Sequence, residues 1–467
     1  MLNKDVDVFC LGKSYLSFLY SLSLLKKGKK VLLVHDHKHG YGQMHAKSFG
    51  PLEQHVLQTW GADREIKPLI NLADYLTPKP LVFIIDNIQV KLGGGPFQNL
   101  FELMRKFPGY FYSHSKTLWN DYLTRAESRA EFDAEFNQYV ARLGRTLFRF
   151  KTEQNLSYNV FFQDCPKIIL DLFQSFSQFF FSSRDLDSLE NWRFRGFIYL
   201  ARGYYQNKLS ITGSLFELFH TFISLLSPHY ILQEEQLNIE LLNLHLQMGG
   251  KYKDTFVKDW VFHKGSPWCL ELGTYEGVIR PKNISLFSSY SHDPRIEVDS
   301  SRQYYRSFVQ NVSFSHENVH GQNGARVVCS RVDHMGTNCP LWYGDFAGKM
   351  AKIETFYINQ IGLKKEFIQN EFCSLIEKDL KQLMPKNEKI HFLDCFDGVE
   401  ILKLGRSKIL EKNKVEAPLI KGPKILHKIN PSEQYRLKKV QYLGPYSEGP
   451  LGLLSSIISL KDQYLYA

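Results

Sequence analysis

Residues 6 to 34 constrain the fold more than any other stretch of the chain. Val6-Asp7-Val8-Phe9-Cys10-Leu11 reads as a buried strand that runs into a turn at Gly12. Leu16, Leu19, Leu22 and Leu25 then recur every three residues, and Lys26-Lys27-Gly28 supplies the basic last turn and glycine stop of a helix. Val31 to Val34 is a second apolar strand. Strand, helix and strand at this spacing make a βαβ unit, in which the two strands run parallel and the crossover is right-handed.

A chain of 467 residues is too long for one compact domain, so the unit is expected to belong to one of two. Hydrophobic residues at 43% and charged residues at 23% place the chain among globular proteins. The 35 Phe and 25 Tyr are enough either to line a large apolar cavity or to fill a large aromatic core. Thirteen aromatic residues fall between Phe161 and Tyr205, and for any one of them core packing is the expected use.

No stretch reaches the roughly 20 apolar residues of a membrane helix. Ile168 to Phe181 is interrupted by Asp171, Gln174 and Gln178, and its apolar residues follow the spacing of an amphipathic helix. The first strand begins too early to leave room for a signal peptide, and the seven cysteines form no CxxC pair. Cytoplasmic residence is the expectation. The net charge of +10 is concentrated between Lys403 and Lys439, a solvated basic surface with no nucleic-acid-binding module beside it.

Gly12-Lys13-Ser14-Tyr15-Leu16-Ser17 sits where a GxGxxG fingerprint would lie, and Gly40-Tyr41-Gly42-Gln43 follows the second strand. Val440 to Ser459 reads as a strand, a glycine-rich loop and a helix with small residues. On these segments the chain resembles the FAD/NAD(P)-binding superfamily of amine oxidases and phytoene desaturases. Gly28-Lys29-Lys30-Val31-Leu32 also looks like the matching part of the Rab GDP-dissociation inhibitors, which share that fold without being oxidoreductases.

The resemblance implies an α/β protein: a Rossmann-like FAD/NAD(P)-binding domain built from both chain ends, with an interleaved substrate domain of mixed helical and β structure. The first is expected over 1–92, 205–275 and 390–467, and the second over 93–204 and 276–389. Gly203 to Phe222 matches the return segment, with Gly213 opening a helix. The alternating run Leu237 to Leu246 and Phe256 to Phe262 fit a following β-rich connection.

Carried over by motif, the cofactor-binding positions are Gly12, Ser14, Ser17, His35, Asp36, Gly42 and Gly444; the resemblance names no catalytic residue. Ser14 and Ser17 replace two fingerprint glycines, and His35 stands where the ribose carboxylate belongs, with Asp36 one place on. Of the paired glycines only Gly42 is in register, and Pro445 stands for the C-terminal Asp. These departures all fall on one ligand. They favour a degenerate flavoprotein-like chain with FAD binding weakened or lost, and with a protein partner, lipid or other apolar ligand instead. Peripheral membrane contact suits that reading. The alternative is an active FAD-dependent oxidoreductase of the desaturase or amine-oxidase type, acting on an apolar or isoprenoid-like substrate. Under the first reading Tyr15 and Tyr20, large where the family has small residues, would fill part of the vacated cleft.

No metal is expected. His35, His37 and His39 alternate around Asp36, with His45 near, but alternating side chains face opposite ways. Gly93-Gly94-Gly95-Pro96 lacks the Lys-Ser/Thr of a phosphate loop and reads as a flexible turn at a domain crossing.

Overall fold

The computed structural model describes residues 5–35, 50–63, 70–85, 88–111, 126–149, 161–181, 189–206, 214–263, 266–273, 277–287, 304–315, 326–330, 341–359, 365–383, 389–397 and 440–442, with 454, 457 and 458. Strand β1 (Asp5–Leu11), helix α1 (Tyr15–Lys26) and strand β2 (Val31–His35) form the expected βαβ unit, with β1 and β2 parallel. On the far side of β2 lies β7 (Lys251–Asp254), also parallel. On the far side of β1 lies β10 (Gly277–Leu286), which pairs in turn with β16 (Val440–Tyr442), both parallel. The two ends of the chain thus share one sheet. Antiparallel β9 (Ser266–Leu272) and β8 (Val257–His263) complete it.

A second sheet runs in the order β15 (Ile390–Asp397), β11 (Tyr304–Phe314), β14 (Met350–Asn359), β13 (Leu341–Ala347), β12 (Arg326–Ser330), β4 (Leu81–Ile85) and β5 (Ile88–Leu92). Every pairing is antiparallel except that of β12 with β4. A two-stranded ribbon joins β3 (Leu76–Pro78) to β6 (Tyr230–Leu232).

The helices after α1 are α2 (Pro51–Asp63), α3 (Pro96–Lys106), α4 (Pro108–Phe111), α5 (Ala126–Arg149), α6 (Lys167–Phe181), α7 (Leu189–Gln206), α8 (Leu215–Leu226), α9 (Glu234–Gln247) and α10 (Lys365–Leu383). Helix α6 is the amphipathic segment read from Ile168 to Phe181, and α8 opens where the return segment was expected. Among the described residues no helix is long and apolar enough to cross a membrane. The aromatic span packs against α8 and β4: Phe173 meets Phe219 at 4.8 Å, Phe176 meets Phe222 at 5.3 Å, and Phe197 of α7 meets Phe83 of β4 at 5.4 Å.

The sheets are shared out along the chain: β10 joins the first sheet, whereas β4, β5 and β15 join the second. Two expectations change. Leu237 to Leu246 is helical, because the buried positions are Leu237, Asn238, Leu241 and His245, which lie on one helical face. The glycine run is pinned, not loose. The Gly93 and Gly94 N–H groups donate to Asn99 Oδ1 at 3.0 and 3.2 Å, while the Asn99 amide donates to the Leu226 and Ser227 carbonyls at the end of α8.

Helix α9 lies against α1 through His245. Its Nε2 donates to the Lys251 carbonyl and its Nδ1 meets the Ser21 hydroxyl, each at 3.0 Å, contacts that a neutral ring can make. Burial favours that form and holds its pKa below the ordinary value. A Cβ on Gly250 would enter this ring. Gly250→Ala is therefore expected to cost roughly 1–3 kcal/mol through overpacking, read as a lower urea midpoint at unchanged slope.

Candidate functional site

The carboxyl ends of β1, β2 and β7 lie side by side, the edge at which parallel α/β sheets bind ligands. Gly12 leaves β1 at φ +131°, a backbone conformation that favours glycine. A Cβ there would come within 2.9 Å of Phe287 Cβ. The Gly12 N–H donates to the Val34 carbonyl at 2.9 Å and the Phe287 N–H to the Leu11 carbonyl at 2.8 Å, which ties the turn to both neighbouring strands.

Ser14 and Ser17 form a reciprocal cap on α1. The Ser17 N–H donates to Ser14 Oγ at 3.2 Å, and the Ser14 N–H to Ser17 Oγ at 3.0 Å. The Ser17 hydroxyl also lies 2.7 Å from the Ser14 carbonyl and 3.0 Å from that of Gly12. Two donors at the fingerprint are thus satisfied within the protein. The N–H groups of Tyr15 and Leu16 have no acceptor among the described residues, as the first turn of a helix allows. Lys13, half-buried between them and Gly12, makes no ion pair among those residues.

His35 closes β2 and pairs with Asp254, which closes β7: Nδ1 to Oδ1 is 3.3 Å. Asp36, Gly42 and Gly444 lie outside the described residues, as do His37, His39, His45, Pro445 and the basic segment Lys403 to Lys439. Among the described residues no group of three or more His, Cys, Asp or Glu could hold a metal ion.

Tyr15 and Tyr20 are fully buried. Tyr20 packs its ring 5.5 Å from that of Phe287. The Tyr15 hydroxyl has no hydrogen-bond partner among the described residues. Burial, reinforced by the negative charges of Glu234 and Glu53, pushes that phenol well above its ordinary pKa.

Behind Tyr15 lies a buried polar chain that spans α2, α7 and α8. Arg202, fully buried, donates to Glu217 Oε2 at 2.7 Å and to Gln206 Oε1 at 3.2 Å. The Gln206 amide donates to the Glu217 carbonyl at 2.7 Å and to His220 Nδ1 at 3.2 Å. His220 Nε2 lies 3.7 Å from Glu53 Oε1. A second group straddles the second sheet: Arg326 makes a two-pronged pair with Asp345 at 2.6 and 2.9 Å, and Lys79 reaches the same carboxylate at 2.8 Å. Burial opposes ionising Asp345, but the two cations prevail and hold its carboxyl below the usual range. Beside them, burial and then Arg326 drive His229 down to about 3, so the ring is neutral, and its Nε2 shares a hydrogen bond with the Tyr205 hydroxyl at 2.7 Å.

None of these polar residues was singled out in the sequence. The one legible signal is a charge in an apolar helix: Arg202 interrupts Phe197-Ile198-Tyr199-Leu200-Ala201. Asp254 carries no sequence signal at all, since only the β2–β7 register brings it to His35.

No protein-family model and no curated protein matches the chain. Among solved structures, an oxidoreductase from Methanosarcina mazei is similar at a TM-score of 0.50 and 9% identity, over 99% of this chain and all of the other, 100%. The two chains share a fold, whose first sheet here is Rossmann-like. A redesigned putrescine oxidase gives 0.47 and 11% identity, covering 98% of this chain and 97% of its own. A geranylgeranyl bacteriochlorophyll reductase-like protein from Thermoplasma acidophilum gives 0.45 and 8%, covering 99% and 77%. At such identities the likeness is one of fold.

Two outcomes follow for the site. Tyr15→Phe removes an unpartnered hydroxyl and should be neutral or stabilise by up to about 1 kcal/mol, whereas Tyr15→Ala should cost roughly 3–5 kcal/mol in chemical denaturation. Burial also pushes the Glu234 carboxyl up to about 7 from 4.5, with Asn238 one turn away working against the shift. The native state then holds this proton over a pH range in which the unfolded chain has released it. Stability is accordingly lost as pH rises from 4.5 through about 7. The loss should reach about 3 kcal/mol by pH 8 and be absent in Glu234→Gln, as followed by urea midpoints across that range.

Proposed function

We propose that the chain is an oxidoreductase that takes FAD and acts on an apolar substrate, with the dinucleotide held by a reduced set of donors. One observation carries the reading. Gly12 keeps its close turn onto Phe287, and the Tyr15 and Leu16 N–H groups at the start of α1 have no acceptor among the described residues. A helix N-terminus with free donors favours a diphosphate, and Lys13 adds positive charge beside it. FAD, when bound, supplies the hydride acceptor. The chain's own part is to anchor the diphosphate at Gly12, Tyr15 and Leu16, and to exclude water with the aromatic helices α6, α7 and α8.

A second reading is favoured by the Ser14–Ser17 cap, which satisfies two donors internally. On it the scaffold has given up FAD and binds a protein partner, or an apolar ligand at a membrane surface.

Flavin content separates the two. Protein purified without added flavin is expected to be pale, and to quench added FAD fluorescence on titration. Ser14→Gly breaks the cap and restores the second fingerprint glycine. It should tighten FAD about tenfold, the equivalent of one hydrogen bond. Wild-type protein that takes no FAD at any concentration, with no gain in Ser14→Gly, would leave the second reading standing.

A further inference from the structure

The carboxyl ends of β1, β2 and β7 form a ledge beside the Gly12 turn at one end of the first sheet. The opposite end, where the parallel strands begin, is strongly basic. We infer that it is a docking surface for an anionic lipid bilayer, which it meets through a lysine-rich edge and the bare aliphatic face of α9. The inference is independent of whether FAD is bound.

Topology gathers the charge. Helix α1 ends in Lys26, and Lys27-Gly28-Lys29-Lys30 leads from it into β2. Lys26, Lys27 and Lys30 are exposed, and Lys29 is half-buried. Lys251 opens β7, the neighbour of β2, while Arg280 and Lys282 lie where β10 comes alongside the start of β1. These three are exposed as well. From β7 to β10 is three strand spacings, about 14 Å, so the charges act together. Asp5 and Asp7 of β1 belong to the same edge and offset part of the charge. Asp7 pairs with Lys282 at 2.7 Å, yet that lysine stays 77% exposed. Lysines complement a helix C-terminus and guard an edge strand, which accounts for Lys26, Lys27 and Lys251. It does not account for the other four.

Beside this edge α9 leaves apolar surface uncovered. Ile239, Leu242 and Leu246 follow at i, i+3 and i+7 and share one face of the helix. Ile239 is 60% and Leu246 49% exposed, and Leu242 is half-buried. Asn243 and Gln247, exposed towards the end of the same helix, are uncharged. That end is held at the basic edge: the Gly250 N–H donates to the His245 carbonyl at 2.9 Å, and the His245 ring meets both Ser21 of α1 and the Lys251 carbonyl at 3.0 Å.

The kind of cation decides the partner. Six of the seven are lysines. Protein interfaces are depleted in lysine and favour arginine and aromatic rings. A nucleic acid would use the lysines but leave the aliphatic face bare. An anionic bilayer takes both, because lysines reach its headgroups while aliphatic side chains enter the boundary beneath them.

The test is sedimentation of the full chain with vesicles of phosphatidylcholine alone, or of phosphatidylcholine and phosphatidylserine at roughly two to one. Wild type is expected to pellet with the mixed vesicles only, and to be released as salt rises. Lys29→Gln/Lys30→Gln/Lys251→Gln removes three charges, each worth roughly fivefold, and should weaken partitioning about hundredfold. Ile239→Ser/Leu246→Ser should weaken it about tenfold and leave the salt dependence unchanged. Both variants are expected to keep the wild-type melting temperature, which separates lost docking from lost fold. Wild type that pellets with neither vesicle, or equally with both, would overturn the inference, and so would binding to duplex DNA in place of vesicles. Full retention of either variant on the mixed vesicles would overturn it too, by moving the contact to another part of the chain such as Lys403 to Lys439 or by making it purely electrostatic.

Discussion

The structure depends on the contact of Gly12 with Phe287. Strand β1 is flanked by β2 and β10, and the chain must leave it, turn within three residues and enter α1 while the end of β10 crosses close by. A Cβ at residue 12 would sit 2.9 Å from Phe287 Cβ, inside van der Waals contact. The positive φ at the same residue aims the next peptides into the helix. Backbone bonds from Gly12 to Val34 and from Phe287 to Leu11 hold both flanking strands to the turn, so the direction of α1 and the level of the three strand ends are set together. The ledge that carries His35 and Asp254 is a consequence of that levelling.

Away from the sheet the chain invests in buried charge. Replacing such a pair by apolar residues is often neutral or stabilising, whereas removing one partner leaves a buried charge exposed to no compensation. Arg202 and Glu217 therefore cannot be understood as stabilisers alone. They fix how α7 meets α8: Glu217 Oε2 takes both the Arg202 guanidinium and the Ser214 N–H, so helix cap and ion pair share one oxygen. Asp345 does the same for the second sheet and its surroundings, since Lys79 precedes β4 while Arg326 opens β12. In each case one carboxylate fixes two elements that apolar packing would let slide.

What could be read in the sequence follows from the range of the interactions. The first βαβ unit was legible because its periodicity, its Gly12 turn and its Gly28 stop are all local. The C-terminal strand was legible through a motif, and β16 does lie in the sheet of β1. Leu237 to Leu246 was misread because leucines at 237, 241, 242, 244 and 246 satisfy a period of two nearly as well as one of 3.6, and only burial separates them. Sheet membership is not legible from composition either. Strand β10 spends its first three residues in a hairpin with β9 and the rest beside β1, so no composition change marks the crossing. Asp254 and the Glu53–His220 pair were invisible because their partners lie far away in the chain.

The fingerprint at residues 12 to 17 shows two requirements that glycine usually meets at once. Close helix–strand packing needs small side chains, and a bound diphosphate needs open N–H groups. Ser14 and Ser17 meet the first requirement: both are buried, and the Ser17 hydroxyl turns back onto the carbonyls of Gly12 and Ser14 instead of pressing on the strand. They meet the second only in part, because their own N–H groups are spent on each other, while among the described residues those of Tyr15 and Leu16 have no acceptor. A hydroxyl that caps a helix contributes typically about 1 kcal/mol to stability whether or not a ligand arrives. Serine at both positions therefore stabilises the turn with or without a ligand, which is why the fold of this segment does not need glycine there.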